Sequence, residues 1–379
     1  MTSLDDLLTP ALVLDRARLE RNLAAMTARM AGHGVALRPH MKTAKSAEVA
    51  RRAVAGSVGG ITVSTVAEAT YFAAEGFRDI TYAVGMVAAK MAPLAALMRG
   101  GVRITLLTDD LGGVATLDEA AGALGVCPEL LIEIDTGLGR AGLAPDAPDI
   151  VTLGQAIENA PNLALAGVLT HAGHSYHCAG PKGIRAVAEA ERAGLVEAAG
   201  ALAAVGLPCP VVSAGSTPTA TFAERLDGVT EMRPGNYVFY DLDQVGIGSC
   251  AVDDVAVSVL ASVIGHNRAR GTVLIDAGAL ALSKDISAGE FFDDAGYGWV
   301  FDAECTSRVG GAWVAEVHQE HGIVTGPGGA PAPFAALPVG SRVRVLPNHS
   351  CITCAMYPSY HLVVGSGAIV GEWPRINGW

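Results

Sequence analysis

The sequence predicts an α/β protein, an N-terminal (β/α)8 TIM-like barrel followed by a second, mostly β C-terminal domain. Three observations carry this. Eight apolar runs of strand length recur before Tyr240, and segments rich in Ala, Leu and Glu separate them. Beyond Tyr240 the long helical stretches give way to short β-type runs.

The barrel strands are expected at Val35–His40, Gly60–Thr65, Ile80–Val84, Arg103–Thr108, Glu129–Asp135, Leu163–His171, Pro210–Ser216 and Val229–Val238. Stretches such as Ala44–Ala55, Val66–Glu75, Ala88–Met98, Leu117–Gly125 and Ile184–Val205 are long enough for crossover helices. Strands alternating with helices over about 230 residues fit a barrel. The rival is a doubly wound open sheet, but no Gly-x-Gly-x-x-Gly follows a first strand. Further strands are expected at Val255–Ile264, Gly271–Asp276, Gly311–His318, Arg342–Pro347 and Tyr360–Val364, with a turn at Gly326-Pro327-Gly328-Gly329. The strand-like Ala11–Asp15 is expected to pair with that β domain. The domain limits read as 12–240 for the barrel and 241–379 plus 1–11 for the β-rich part.

Composition narrows the function. Half the residues are hydrophobic and 17% are charged, as in a well-buried soluble enzyme. A net charge of −12 argues against a nucleic-acid partner, which requires a basic face. No apolar run reaches membrane-spanning length, and the acidic start lacks the plan of a secretion signal. Seven cysteines, scattered except for Cys351 and Cys354, suggest reduced thiols in a cytoplasm.

Barrel chemistry gathers where strands end at their C-terminal side. His40 and Lys42 follow the first strand, Ser64-Thr65 the second, and Thr136–Gly142 the fifth. His171–Tyr176 follow the sixth, Ser213–Thr219 the seventh and Arg233–Tyr237 the eighth. A lysine against apolar neighbours can have its amine freed for Schiff-base chemistry, although most lysines are simply solvated. Gly215-Ser216-Thr217 at a helix start, with Gly235-Asn236 on the neighbouring strand, offers amides and hydroxyls to a phosphate; the alternative is that these glycines only shape turns. Phosphate and lysine on one mouth suggest pyridoxal 5'-phosphate. His349 and Cys351, two apart on what reads as an extended segment, would point one way and could share a divalent ion. Cys354 is a possible third ligand or a spare core thiol. Glu320-His321 is open between supporting that ion and forming a buried structural pair. Of His40, His171, His174 and His177, at least two are expected to be hydrogen-bonded scaffold.

Pro10–Asp15, Arg38–Thr43, Thr136–Gly142 and Arg233–Tyr237 together resemble the fold-type III pyridoxal phosphate enzymes, the alanine racemase group. Leu346–Cys351 narrows the resemblance to the metal-dependent D-serine dehydratase and D-threonine aldolase family, in particular its members acting on D-threo-3-hydroxyaspartate. Ile61–Thr65, Ser216–Ala220, Arg225–Glu231, Gln319–Gly322 and Gly378-Trp379 extend the likeness nearly end to end.

The resemblance implies an alanine racemase-like fold and Lys42, rather than Lys45, as Schiff-base lysine and α-proton base. It places His40 and Arg140 near the ring and Tyr176 beside cofactor or substrate. Gly215, Ser216, Thr217, Gly235, Asn236 and Tyr237 would hold the cofactor. His349 and Cys351 would bind zinc, with Mn or Co as alternatives, in a homodimer. The implied activity is dehydration of D-3-hydroxy amino acids, such as D-threo-3-hydroxyaspartate or D-serine, to a 2-oxo acid and ammonia, with both domains contributing to one site. The nearest rival is retro-aldol cleavage to glycine and an aldehyde, although family aldolases tend to carry Asp where Cys351 stands. A racemase would need a second base, for which Tyr357 or Tyr360 could be proposed, and leaves the metal pair idle. A non-catalytic pyridoxal phosphate carrier is a bare barrel and leaves the β domain unexplained. Arg38, Arg140 and Arg233 are the unranked candidates for meeting a substrate side-chain carboxylate.

Overall fold

The computed structural model describes residues 3–57, 60–178, 180–365 and 367–379; Met1 and Thr2, placed above with the β-rich domain, lie outside them. The chain forms two compact units, Ala25–Gly235 with Gly378–Trp379, and Met1–Ala24 with Asn236–Asn377.

After β1 (Ala11–Asp15), which belongs to the second of these, the chain lays down eight parallel strands. They are β2 (Ala36–Leu37), β3 (Ile61–Val63), β4 (Asp79–Gly85), β5 (Arg103–Thr108), β6 (Glu129–Ile134), β7 (Ala164–Thr170), β8 (Val211–Ala214) and β9 (Glu231–Met232). Their spatial order is β2-β9-β8-β7-β6-β5-β4-β3. A parallel bridge between His40 and Thr62 joins the two ends of that row, with the Met41 N–H donating to the Thr62 carbonyl at 2.8 Å. The barrel expected from the apolar runs is therefore present, strand for strand. Those runs are continuous rather than alternating because a parallel strand is buried on both faces; in β6 every residue from Leu130 to Ile134 is buried. Two strands are only two residues long, β2 and β9. Each is followed two residues later by a proline, Pro39 or Pro234, which has no N–H to continue the ladder.

Helices Ala47–Ala53, Val66–Ala74, Met91–Arg99, Leu111–Leu124, Asp149–Asn159, Gly180–Ala204 and Thr217–Phe222 make the crossovers. Side-chain caps start several of them: Thr65 accepts from the Glu68 N–H, Asp110 from Gly113 and Ser216 from Thr219. Helix Asp149–Asn159, with Pro145 and Pro148 before it, makes the crossover between β6 and β7.

The barrel buries charge as well as hydrocarbon. The Arg38 Nε donates to Glu231 at 2.6 Å and its Nη1 to Asp79 at 2.9 Å. Ser213 Oγ donates to the other Glu231 oxygen at 2.5 Å, and the Arg233 guanidinium donates to Ser213 Oγ and to the Thr170 carbonyl. Burial would lower the pKa of Arg38, but its two carboxylate partners raise it above the usual arginine value.

The second unit is a nine-stranded sheet built from β1 with β10 (Val257–Asn267), β11 (Thr272–Ile275), β12 (Trp299–Asp302), β13 (Arg308–Val317), β14 (Gly322–Thr325), β15 (Arg342–Leu346), β16 (Ser359–Val364) and β17 (Ala368–Pro374). Strand β10 pairs with β15 along Val259–Ser262 and with β11 from Val263 onward, so six strands close on one another. The N-terminal β1 pairs antiparallel with β10 and parallel with β16, the association expected from its sequence. Strands β12, β14 and β17 were not expected. The first two are four residues long, and β17 contains Gly371 and ends on Pro374.

Replacing Arg38 with Leu removes the guanidinium from the buried Glu231, which keeps only the Ser213 hydroxyl, and leaves Asp79 with Arg103 at 3.8 Å. Urea unfolding of the apoprotein should show a loss of about 3–5 kcal/mol, the usual cost of breaking a buried pair from one side.

Candidate active site

The strand ends deliver the expected residues to one end of the barrel. Lys42 follows β2 with its side chain exposed, and its backbone N–H lies 3.4 Å from His40 Nδ1. Lys45 is placed differently: its amine pairs with the almost wholly buried Glu68 carboxylate at 3.1 Å. Of the two lysines, Lys42 is the exposed one and Lys45 is the one held by a buried carboxylate.

Two imidazoles stand near that amine and both are held neutral. Burial, then the charges of Lys42, Arg233 and His171, lower His40 well below the usual histidine range. Burial and the Lys42 charge take His171 down to about 3. The His171 Nδ1 lies 3.2 Å from the Gly215 carbonyl. A carbonyl only accepts, so Nδ1 carries the ring proton and Nε2 keeps a free lone pair. The His171 and Tyr176 rings have centroids 6.4 Å apart.

Gly215 has φ +121°, and a Cβ there would meet the Arg233 backbone nitrogen at 2.8 Å. Its N–H donates to Glu191 Oε1 at 3.0 Å, and the same oxygen accepts the Ala172 N–H at 3.1 Å. Glu191 thus ties the ends of β7 and β8 together, a role with no signal in its helical sequence context. Ser216 Oγ accepts the Thr219 N–H at 3.1 Å and lies 2.8 Å from Ser175 Oγ. At Gly235 a Cβ would sit 3.1 Å from the His40 carbonyl oxygen.

Arg38 and Arg233 are buried and bonded within the barrel network. Arg140 keeps more than half of its side chain exposed and lies 3.5 Å from Glu133. Its loop is shaped by Asp135, whose carboxylate accepts the amides of Gly137, Leu138 and Gly139. Among the three arginines that the sequence left unranked, Arg140 is the accessible one.

Asn236 and Tyr237 belong to the second unit. The Asn236 Nδ2 donates to Asp241 at 2.6 Å, so what Asn236 has left to offer a phosphate is its backbone N–H. Its Oδ1 is buried without a partner among the described residues, and Tyr237 is wholly buried.

His349 and Cys351 do not lie on an extended segment as expected. His349 is extended, with φ −136° and ψ 104°, and caps the short helix Ser350–Thr353 that contains Cys351. The Asp241 carboxylate curls the chain there by accepting the Ser350 N–H at 2.8 Å and its hydroxyl at 3.1 Å. The two side chains still meet, through a hydrogen bond between imidazole and thiol. Behind them Asp285 lies 3.0 Å from His349 Nδ1. Burial would lower the His349 pKa, but Cys351 and Asp285 hold it up at about 12. Among the described residues no group of three or more His, Cys, Asp or Glu stands at metal-ligating separation. Cys354 is fully buried, and burial pushes its thiol up to about 12, as in a core thiol. Glu320 and His321 are exposed between β13 and β14, so the buried-pair alternative fails.

Residues 14–243 match the alanine racemase N-terminal domain and residues 256–363 a putative serine dehydratase domain. The chain is 46% identical to the D-threo-3-hydroxyaspartate dehydratase of Delftia sp. (strain HT23), over 98% of each chain. It is 29% identical to the D-serine dehydratase of Dictyostelium discoideum, over 99% of this chain and 98% of that one. With the D-threonine aldolase of Arthrobacter sp the identity is 30%, over 96% and 91%. The solved Delftia dehydratase superposes with a TM-score of 0.96 at 44% identity, covering 100% of both chains. A cysteine-to-alanine variant of D-threo-3-hydroxyaspartate dehydratase has been solved in a metal-free form, with the same coverage and score.

The chain belongs to the D-serine dehydratase-like family of fold-type III pyridoxal phosphate enzymes. The resemblance read from its motifs holds over the whole chain, and the family's chemistry is that of pyridoxal phosphate-dependent lyases. The barrel mouth fits such a cofactor. It offers an accessible amine, a neutral imidazole acceptor and a glycine at the strand end where a side chain would collide, and His174 Nδ1 is buried there without a partner among the described residues. The His349–Cys351 pair fits a borderline-soft ion, because it joins nitrogen and sulfur donors with a carboxylate orienting the imidazole.

Two predictions follow from this geometry. Lys42→Ala should abolish the bound-cofactor absorbance and reduce turnover by at least about 1,000-fold, the scale of losing an essential nucleophile. Lys45→Ala should keep the absorbance and lower only stability; loss of colour in that variant alone would reverse the assignment. The second concerns acid. His171 has a folded-state pKa of about 3 against 6.5 for a free histidine. Its stabilising contribution is therefore complete above 6.5 and is lost as pH falls toward 3, by roughly 1.4 kcal/mol per pH unit at most. Urea titrations of apo His171→Gln should show a shallower decline between pH 6 and pH 4 than the wild type.

Proposed function

We propose that this enzyme is a dehydratase of D-3-hydroxy amino acids that eliminates water to give a 2-oxo acid and ammonia, with D-threo-3-hydroxyaspartate as its substrate and D-serine as an alternative. The observation that carries the reading is the Cys351 thiol against His349, beside end-to-end similarity to the Delftia dehydratase. Pyridoxal phosphate, when bound, supplies an electron sink for the charge left at the α-carbon, and a divalent ion supplies Lewis-acid help to the departing β-hydroxyl. Lys42 Nζ holds the cofactor and, once released, takes the α-proton. Thr217, Gly235 and Asn236 offer backbone amides to the phosphate, while the Gly215 and Ser216 amides, turned to Glu191 and Thr219, shape the loop around it. The neutral His171 and His40 add no positive charge beside the amine, and Tyr176 shields the mouth. Arg140 stands near the ring and is the arginine available to a substrate side-chain carboxylate.

His349 Nε2 and Cys351 Sγ hold the ion, while Asp285 fixes the imidazole through Nδ1. A thiolate ligand favours zinc over manganese or magnesium, and it is this softer donor that supports dehydration over the aldolase reading. The metal-free form of a cysteine-to-alanine variant of D-threo-3-hydroxyaspartate dehydratase supports the metal assignment. Among the described residues the seven cysteines form no disulfide, which supports a cytoplasmic location. No helix among the described residues is long and apolar enough to cross a membrane. A homodimer is proposed on family resemblance.

The test is product analysis with D-threo-3-hydroxyaspartate and D-serine. Ammonia and keto acid should form, disappear on dialysis against a chelator and return with zinc. Glycine and an aldehyde would instead establish the aldolase, and the L-enantiomer a racemase. Cys351→Ala should keep the cofactor absorbance and lose at least about 100-fold in kcat/KM, beyond what loss of an outer partner costs; an unchanged rate removes the ion from the mechanism.

A further inference from the structure

Asp241 is completely buried, and its carboxylate collects donors from three separate places. As cap of helix Leu242–Ile247 it accepts the Gln244 N–H on Oδ1 at 3.0 Å. On Oδ2 it accepts the Asn236 side-chain amide at 2.6 Å, the Ser350 N–H at 2.8 Å and the Ser350 hydroxyl at 3.1 Å. Asn236 also approaches Ser350 directly, its Nδ2 donating to Oγ at 3.4 Å. Ser350 is the residue between His349 and Cys351, at the point where extended backbone turns into helix. The carboxylate therefore sets the backbone angle on which the relative direction of the two ligand side chains depends. A helical turn alone does not align side chains at i and i+2, so an external constraint is needed there.

We infer that Asp241 is the positioning residue of the metal centre. Through Ser350 it holds the His349 imidazole and the Cys351 thiol on one side, and the same oxygen ties that turn to Asn236 in the proposed cofactor-binding segment. The inference rests on the metal assignment made above. Asp241→Asn isolates the effect. Its remaining oxygen still caps Gln244, but its NH2 group now faces the fixed Ser350 N–H donor, which is left without its acceptor, whereas Asn236 keeps Ser350 Oγ.

The experiment measures zinc affinity of the full-length holoenzyme by competition with a chromophoric chelator. Asp241→Asn should weaken zinc binding 10- to 100-fold, roughly the range seen when an outer partner of a ligand is lost. Ser350→Ala, which keeps the Ser350 N–H bond, serves if the first variant does not fold, with an expected loss of about 3-fold. Val324→Ala, a core cavity in β14 far along the chain from the ligands, supplies a variant of lowered stability that should bind zinc as the wild type does. Wild-type affinity in Asp241→Asn, or in Ser350→Ala where the former cannot be purified, overturns the inference, as does an equal loss in Val324→Ala. A wild-type protein that binds no zinc overturns the metal assignment and this inference with it.

Discussion

A charge buried in a barrel of parallel strands must be neutralised by its neighbours, and much of this site follows from how that is achieved. Arg38, Glu231, Ser213 and Arg233 satisfy one another, with Asp79 closing the end of the row. The partners come from the segments after β2 and β9, from β8 and from the start of β4, so the network fixes those strands against each other. Their C-terminal continuations carry His40, Lys42, Gly215 and Gly235. A network this costly to break also uses up its members. Arg38 and Arg233 are buried and turned to partners within the barrel, while Lys42 and Arg140, outside the network, keep their charges accessible.

Accessibility also separates the two lysines. Lys45 is three residues beyond Lys42 and shares its apolar context in sequence, but Glu68 lies under it. An amine paired with a buried carboxylate is poorly placed to act as a nucleophile because separating the pair would strand the buried charge. Near Lys42 the neutral imidazoles matter for the opposite reason. A charged His171 beside the amine would repel it, and burial prevents that charge from forming.

Most of the barrel was legible because strands buried on both faces read as unbroken apolar runs, and turns after them read as Gly and Ser clusters. Legibility ended where structure rests on distant partners. Strands β12 and β14 are too short to show a period, and β17 is broken by glycine and proline. His349 and Cys351 were found as a pair through their spacing, but the inferred extended backbone was wrong, since period-two geometry was assumed where a helix begins. Glu191 and Asp285, which brace the mouth and the imidazole, sit among ordinary residues and carry no local signature. Their partners lie 24 and 64 residues away.

Asp241 shows the limit most plainly. Its bond to Gln244 is readable from sequence, as an Asp three residues before the middle of a helical turn. Its bonds to Ser350 span 109 residues, and no local pattern announces them. Local signals identify which atoms can bind an ion, because ligand chemistry belongs to residue types. They do not identify what aims those atoms, because aim depends on a backbone angle imposed from elsewhere in the fold. The proposed ligand pair can thus be picked out from three letters of sequence, while the carboxylate proposed to aim it becomes visible only after the chain has folded.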